Sequence, residues 1–398
     1  MSRARFSLSL AVAALGIALF APTATAQPDE TGGVLLPAKL DAEGSSQMLI
    51  PISVKGHTFW CNADSGGSRV LSLDLAKALT AGLQPNATGT SAGVGPEISR
   101  DQRVRGMTVE VGPIVLQDIT IVLAPRPTVV PDIDCVLGLA LLPEFAIEFD
   151  YLTPAVRLIP AARFRPAATA IAIPIAIDRN ANPSTKARLQ IGTAESVDVT
   201  LMVDTGASYY DLVLLKPVID SNHLASRIGT MVPRYSDTPG MTITATRAAT
   251  LSVGPFEISG PVAALISTGS GGTFSVDGLI GTGFLRRFKV TFDYSRQQIW
   301  LEPNGRPRGP QVFDASGIEV RPTEAHEFAI VAVAPDSPAA EANLRVGDVL
   351  KEIDGRRTRD MTLGHIQDAF SRVGVTCTVQ IERGTHIDKA TLQLRRRL

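Results

Sequence analysis

Two aspartates open near-identical patterns in this sequence, Asp64-Ser65-Gly66-Gly67-Ser68 and Asp204-Thr205-Gly206-Ala207-Ser208, at an offset of 204 minus 64, or 140 residues. An Asp on a tight loop after an apolar segment exposes one carboxylate, while the following Gly lets a second backbone approach closely. Two such carboxylates facing each other across a cleft cannot both ionise without a large cost, so one proton is shared. The ionised partner then takes a proton from water, and the protonated one hydrogen-bonds a peptide carbonyl. That is general acid and base catalysis without metal or covalent intermediate. Asp and Gly favour turns for their own backbone reasons, so either pattern alone reads as an ordinary turn; the duplication carries the weight.

The elements that must position the two loops are duplicated as well. Asp134-Cys135-Val136-Leu137-Gly138 matches Asp277-Gly278-Leu279-Ile280-Gly281 at an offset of 277 minus 134, or 143. Phe149-Asp150-Tyr151 matches Phe292-Asp293-Tyr294 at that same offset, and Val111-Gly112-Pro113 matches Val253-Gly254-Pro255 at 253 minus 111, or 142. Each copy is built of short Val, Ile, Leu and Thr runs punctuated by Gly, Pro, Asn and Asp, the pattern of short strands and tight turns. The expectation is a mostly β chain of two similar lobes, residues 33–160 and 170–303, joined by Ala161 to Ala168 and closed by a Gly- and Pro-rich linker from Asn304 to Pro310.

Asp64-Ser65-Gly66 and Asp204-Thr205-Gly206, with the segments Val136-Leu137-Gly138 and Leu279-Ile280-Gly281, resemble the two active-site loops of the pepsin and retropepsin-like aspartic peptidases. The resemblance covers nearly all of residues 33–303 and implies the duplicated two-lobed acid-protease β-fold. It implies Asp64 and Asp204 as catalytic residues. Ser65, Gly66, Thr205 and Gly206 would shape the loops, with Gly138 and Gly281 in the segments that thread beside them. Peptidases of this kind close a β-hairpin over bound peptide. Residues Gly89 to Gly106, rich in Gly and poor in apolar side chains, fit that hairpin and fit an ordinary surface loop equally. Cys61 and Cys135 lie beside elements that should be neighbours in the first lobe, which leaves a disulfide or two buried thiols; Cys377 reads as a lone buried thiol.

Rival chemistry is poorly supported. Gly89-Thr90-Ser91-Ala92-Gly93 has the G-x-S-x-G form of a serine-hydrolase elbow but lacks the strand before it and the helix after it. His57, His223, His326, His365 and His386 show no metal-ligand spacing, so no metal and no cofactor is expected.

From Gln311 the pattern changes to strands separated by helices. Ser337-Pro338-Ala339-Ala340 reads as an N-cap with Pro in the first turn, and Leu344-Arg345-Val346-Gly347-Asp348-Val349-Leu350 leads through a turn into a strand that precedes the Asp354-Gly355 turn. Together these segments are similar to the bacterial PDZ domain, over residues 312–396, and imply a small α+β module. By that resemblance Ser316, Gly317 and Ile318 form a peptide-binding, carboxylate-accepting loop. A ligand strand would lie between Ile318-Glu319-Val320 and a helix from Thr362 to Arg372. Asp314-Ala315-Ser316-Gly317 departs from the usual apolar residue before Gly.

The whole chain is consistent with this. Its 398 residues, 44% hydrophobic and 19% charged, suffice for two or three domains, and a formal net charge of −1 with scattered basic residues gives no electrostatic footprint for nucleic acid. Residues 1–26 read as a cleavable signal peptide, with Arg3 and Arg5, the apolar run Leu8 to Phe20, and Ala24-Thr25-Ala26. No later stretch is long enough to span a bilayer, so the mature chain is expected in the periplasm or secreted. The sequence thus points to an exported aspartic endopeptidase with peptide or protein substrates and a PDZ-like module that takes a peptide ligand, recruits substrate or regulates access. The alternative is a peptide-binding scaffold of the same fold that no longer cleaves.

Overall fold

In a computed structural model, residues 32–398 are described apart from 42–43, 126–131, 193–194, 237, 239, 270–274, 308, 311 and 324. The expected signal segment lies outside the described residues. The chain is mostly β, and its described strands form four sheets.

The first sheet belongs to residues 39–138. Its strands run in the spatial order Lys39–Leu40, Met48–Val54, His57–Asp64, Cys135–Gly138, Leu71–Asp74, Ile114–Ala124, Ile98–Val111 and Ala87–Ala92, and Met48–Val54 also pairs with Ile98–Val111, which curls the sheet back on itself. Alternation fixes the inner face: in Met48–Val54, for example, Ile50, Ile52 and Val54 are buried at every second position. The second lobe repeats the central part. His57–Asp64 runs parallel to Cys135–Gly138, and Leu71–Asp74 lies antiparallel to that strand; likewise Val197–Val203 runs parallel to Gly278–Ile280, with Leu212–Leu215 antiparallel to it. Asp134 accepts the Trp60 N–H at 2.7 Å in one lobe, and Asp277 accepts the Thr200 N–H at 2.7 Å in the other.

A six-stranded sheet joins the lobes, with three strands from each: Val34–Leu36, Ala155–Pro160 and Phe145–Asp150, then Phe288–Asp293, Gln298–Pro303 and Ile171–Pro174. Glu148 and Thr291, equivalent at the 143-residue offset, pair directly with one another, so the local twofold axis passes between them. On the inner face Tyr151, Phe149, Phe292 and Tyr294 form a ladder of rings, with neighbouring centroids 6.2, 5.8 and 6.3 Å apart. One buried cluster runs through both lobes and this sheet.

The fourth sheet is the C-terminal module: Ile318–Pro322, Phe328–Val333, Val349–Ile353, Thr376–Arg383 and His386–Gln393 in spatial order, with its own buried core. Ser337 caps the short helix Pro338–Glu341, and Thr362 caps the helix Leu363–Phe370, slightly shorter than the expected 362–372. Ile318–Pro322 is the edge strand, paired among the described residues only with Phe328–Val333.

Candidate active site

Each aspartate ends or follows the strand that runs parallel to its glycine-bearing partner, so both loops emerge at the same end of their sheets. The loops interlock across the lobe boundary. The Ser65 N–H donates to Thr205 Oγ1 at 2.9 Å and the Thr205 N–H to Ser65 Oγ at 3.0 Å, while the hydroxyls donate onward to the carbonyls of Val203 and Ala63 at 2.6 and 2.7 Å. Ser65 and Thr205 are fully buried. Four polar groups that would otherwise be orphaned are thereby satisfied within one closed ring.

Gly66 and Gly206 are required by contact. A Cβ on Gly66 would lie 2.6 Å from Asp204 Cγ, and a Cβ on Gly206 would lie 2.6 Å from Asp64 Cγ. Each aspartate therefore packs against the other loop's glycine. Gly138 and Gly281 support from behind: a Cβ on Gly138 would meet the Ser68 carbonyl oxygen at 2.2 Å, and one on Gly281 the Tyr210 carbonyl oxygen at 2.6 Å. All eight loop positions named from the sequence thus come together at one place.

Amides orient the carboxyls. Asp64 Oδ1 accepts the Gly66 N–H at 2.8 Å; Asp204 Oδ1 accepts the Gly206 N–H at 2.8 Å and the Ala207 N–H at 3.2 Å. Burial pushes the Asp64 carboxyl well above the ordinary carboxylate range, and the neighbouring Asp204 charge pushes it further. Burial raises Asp204 as well, offset in part by a hydrogen bond with Asp64 and by the Gly206, Ala207 and Gly66 amides. Two carboxyls that interact this closely have proton affinities that belong to the pair rather than to either residue.

Two residues that the sequence reading missed brace this arrangement from the opposite lobe. Gln47 Nε2 donates to the Gly206 carbonyl at 2.7 Å, and Ser68 Oγ donates to Asn182 Oδ1 at 2.8 Å. Both sit on turns organised by an aspartate: Asp41 accepts the Ser45 and Gln47 amides, and Asp178 accepts those of Asn180 and Asn182. Asp41 and Asp178 are themselves a duplicated pair, at 178 minus 41, or 137 residues, and that repeat was the available signal.

Residues Gly89 to Gly106 form a hairpin of Ala87–Ala92 against Ile98–Val111, and its tip reaches over the cleft. Ala92, Gly93 and Val94 line a cavity of about 280 Å³ together with Gly66, Ser68, Asp204, Met202 and Leu279. Ser91, the nucleophile of the rejected elbow, lies on the hairpin's strand and donates to Asp101. A second hairpin, Val232–Arg234 against Ile243–Arg247, comes from the other lobe to meet the first. A Cβ on Gly95 would lie 2.7 Å from Thr238 Cγ2, one on Gly240 would lie 3.5 Å from Pro96 Cγ, and Val94, Met241 and Ile243 pack against one buried cluster that includes Met202 and Leu279. The two hairpins thus touch one another at Gly95–Thr238 and Pro96–Gly240.

The C-terminal module is bonded to that second hairpin. Glu319 on the edge strand accepts the Tyr235 N–H at 3.0 Å and pairs with Arg234 at 3.0 Å; Arg321 lies over the Tyr235 ring and Arg234 over that of Phe313. Arg234 in turn hydrogen-bonds Tyr210, six residues beyond Asp204. In the expected carboxylate-accepting loop, the Ser316 and Gly317 amides donate to Asp314 at 3.0 and 2.8 Å, and the Ile318 amide to Ser316 Oγ at 3.2 Å. Asp314, two residues before the Ser316 that stands where an apolar residue is usual, thus places a carboxylate of the chain itself on the amides of this loop.

Cys61 and Cys135, directly opposite on parallel strands, are joined as a disulfide, and Cys377 is buried and free. Among the described residues no group of three or more His, Cys, Asp or Glu is placed to hold a metal, and no helix is long and apolar enough to cross a membrane.

Comparison with curated proteins returned no match. Two family models do match: that of the aspartyl protease over residues 50–141, which spans Asp64, the first hairpin and Gly138, and that of the PDZ domain over residues 330–383. The chain carries an aspartyl protease domain and a C-terminal PDZ domain.

Proposed function

We propose that this chain is an exported aspartic endopeptidase that hydrolyses peptide bonds through the Asp64/Asp204 pair, with the PDZ domain recruiting substrate or regulating access. The observation that carries the reading is the reciprocal packing of the two loops, which brings two carboxyls of raised proton affinity together.

In the proposed reaction, water lies between the carboxyls and the peptide carbonyl above them. The ionised carboxylate removes a proton as water attacks the carbonyl carbon, and the protonated carboxyl hydrogen-bonds the developing oxyanion. Collapse of the tetrahedral species returns a proton to the departing amine and restores the shared-proton state. The loop amides hold both carboxyls in place throughout, so little reorganisation accompanies the chemistry. Export to the periplasm or beyond rests on the signal-like segment 1–26 and accords with the Cys61–Cys135 bridge, which oxidising compartments favour.

The test is cleavage of a mixed peptide library by the mature chain from acid to neutral pH, with Asp64→Asn and Asp204→Asn as controls. Loss of cleavage in both variants supports the mechanism. Cleavage that survives both would end it, and a folded wild-type chain that cleaves nothing would favour the non-cleaving scaffold.

A further inference from the structure

The cleft is pseudo-symmetric, so a bound peptide is read alike on either side of the scissile bond except where the lobes differ. One such difference lies on the wall of the cavity beside Asp204. There the turn from Asp178 to Asn182 places the solvent-exposed Arg179 and Asn180 on the cavity lining, which they share with the hairpin residues Ala92–Val94 and with Met202 and Leu279. In the sequence, the residue that follows the matching aspartate of the first lobe, Asp41, is Ala42. Among the described residues, Arg179 is the only cationic one lining this cavity.

The turn is firmly held. Asp178 Oδ1 accepts the amides of Asn180 and Asn182 at 2.8 and 2.9 Å, Asp178 Oδ2 accepts Asn182 Nδ2 at 3.3 Å, and Asn182 is tied to Ser68 of the first active-site loop. Asp178 is thus committed to its own turn, and Arg179 has no hydrogen-bond or ion-pair partner among the described residues. An arginine on a cavity lining shared with Met202, Leu279 and Val94 suits a side chain with an apolar stem and a terminal carboxylate.

Building on the peptidase reading above, we propose that Arg179 is a specificity-determining residue that selects substrates with an acidic side chain, glutamate foremost, at one position flanking the scissile bond on the side of the second lobe. Without Arg179 an acidic side chain here would meet only the negative charge of the dyad. The guanidinium reverses that preference, and the lack of a counterpart at Ala42 confines it to one side.

The experiment profiles cleavage of a peptide library by the full mature chain and by Arg179→Ala and Arg179→Glu variants. Glutamate should be enriched at a single flanking position, and replacing it by glutamine in one cleaved peptide should lower kcat/KM roughly threefold to tenfold. That difference should vanish in Arg179→Ala and invert toward Lys and Arg in Arg179→Glu. No acidic enrichment, or one that Arg179→Ala leaves intact, overturns the proposal. A second arm separates this failure from failure of the peptidase reading: fluorescence anisotropy with the Asp64→Asn chain and the same paired peptides. Tighter binding of the glutamate peptide, lost in Asp64→Asn/Arg179→Ala, supports the role of Arg179 even if the wild type cleaves nothing; equal binding of the pair overturns it.

Discussion

Ser65 and Thr205 exchange amide-to-hydroxyl hydrogen bonds in both directions across 140 residues of chain, and each hydroxyl also donates to a carbonyl of the opposite loop. Thr205→Ala would leave the buried Ser65 N–H and Ala63 C=O unpaired. It should lower stability by about 2–4 kcal/mol, since each unsatisfied buried group costs about 1–3 kcal/mol. Thr205→Ser keeps the hydroxyl and should cost less than about 1 kcal/mol. Urea midpoints of the two variants check this.

The dyad links stability to pH with an unusual sign. Both carboxyls have proton affinities raised on folding, so between the ordinary carboxylate pKa of about 3.9 and the raised values the native chain binds more protons than the unfolded one. Stability from this source is complete at acid pH and is lost as pH rises through that window. Asp64→Asn should therefore be more stable than wild type at neutral pH, with the two converging near pH 3, as read by thermal melts across pH. Its cleavage activity should fall by about 10²–10⁴-fold.

The Cys61–Cys135 disulfide spans 74 residues. A thiol assay on unreduced, denatured protein should find one thiol, that of Cys377, and three after reduction. The Cys61→Ala/Cys135→Ala variant should lose about 2–4 kcal/mol of stability, chiefly because the unfolded chain gains freedom.

Glycines at the site differ in what surrounds them. Gly138→Ala would drive a methyl into the Ser68 carbonyl, where only backbone could yield, and should destabilise by about 1–3 kcal/mol or more. Gly93→Ala, at the hairpin tip with open space around its Cβ, should stay within about 0.5 kcal/mol of wild type. Denaturant titrations of both variants give the contrast.

What the sequence made legible follows from its duplication. Asp64 and Asp204, with Ser65 and Thr205 after them, could be read because both copies preserve residues that touch across the axis, and Gly138 and Gly281 because each lies against the loop backbone of its own lobe. Local composition, with glycines clustering at residues 89–106, left a hairpin and an ordinary surface loop equally open at the first hairpin, and the pairing of Ala87–Ala92 with Ile98–Val111 decides for the hairpin. The second hairpin escaped because Val232–Arg247 shares no clear pattern with the first copy; its identity lies in where it lands, against Gly95 and Pro96. Gln47 and Asn182 escaped because their partners are more than 100 residues away and the surrounding repeat is reduced to a single aspartate. Ser316 before Gly317 was visible as a departure, but only the fold shows the Asp314 carboxylate accepting the Ser316 and Gly317 amides.

The meeting of the two hairpin tips makes entry to the cleft a shared event. A peptide that displaces the second hairpin on its way to Asp64 and Asp204 would strain the base of that hairpin, at Arg234 and Tyr235, which is held by Glu319 on the edge strand of the PDZ domain. Work done at one end is felt at the other. If an added strand beside Ile318–Pro322 draws Glu319 away from Tyr235, it lowers the cost of displacing that hairpin, and by thermodynamic reciprocity a peptide seated in the cleft strengthens binding at that edge by the same factor. The two peptide sites then behave as one balance, with the Glu319–Tyr235 contact as its pivot.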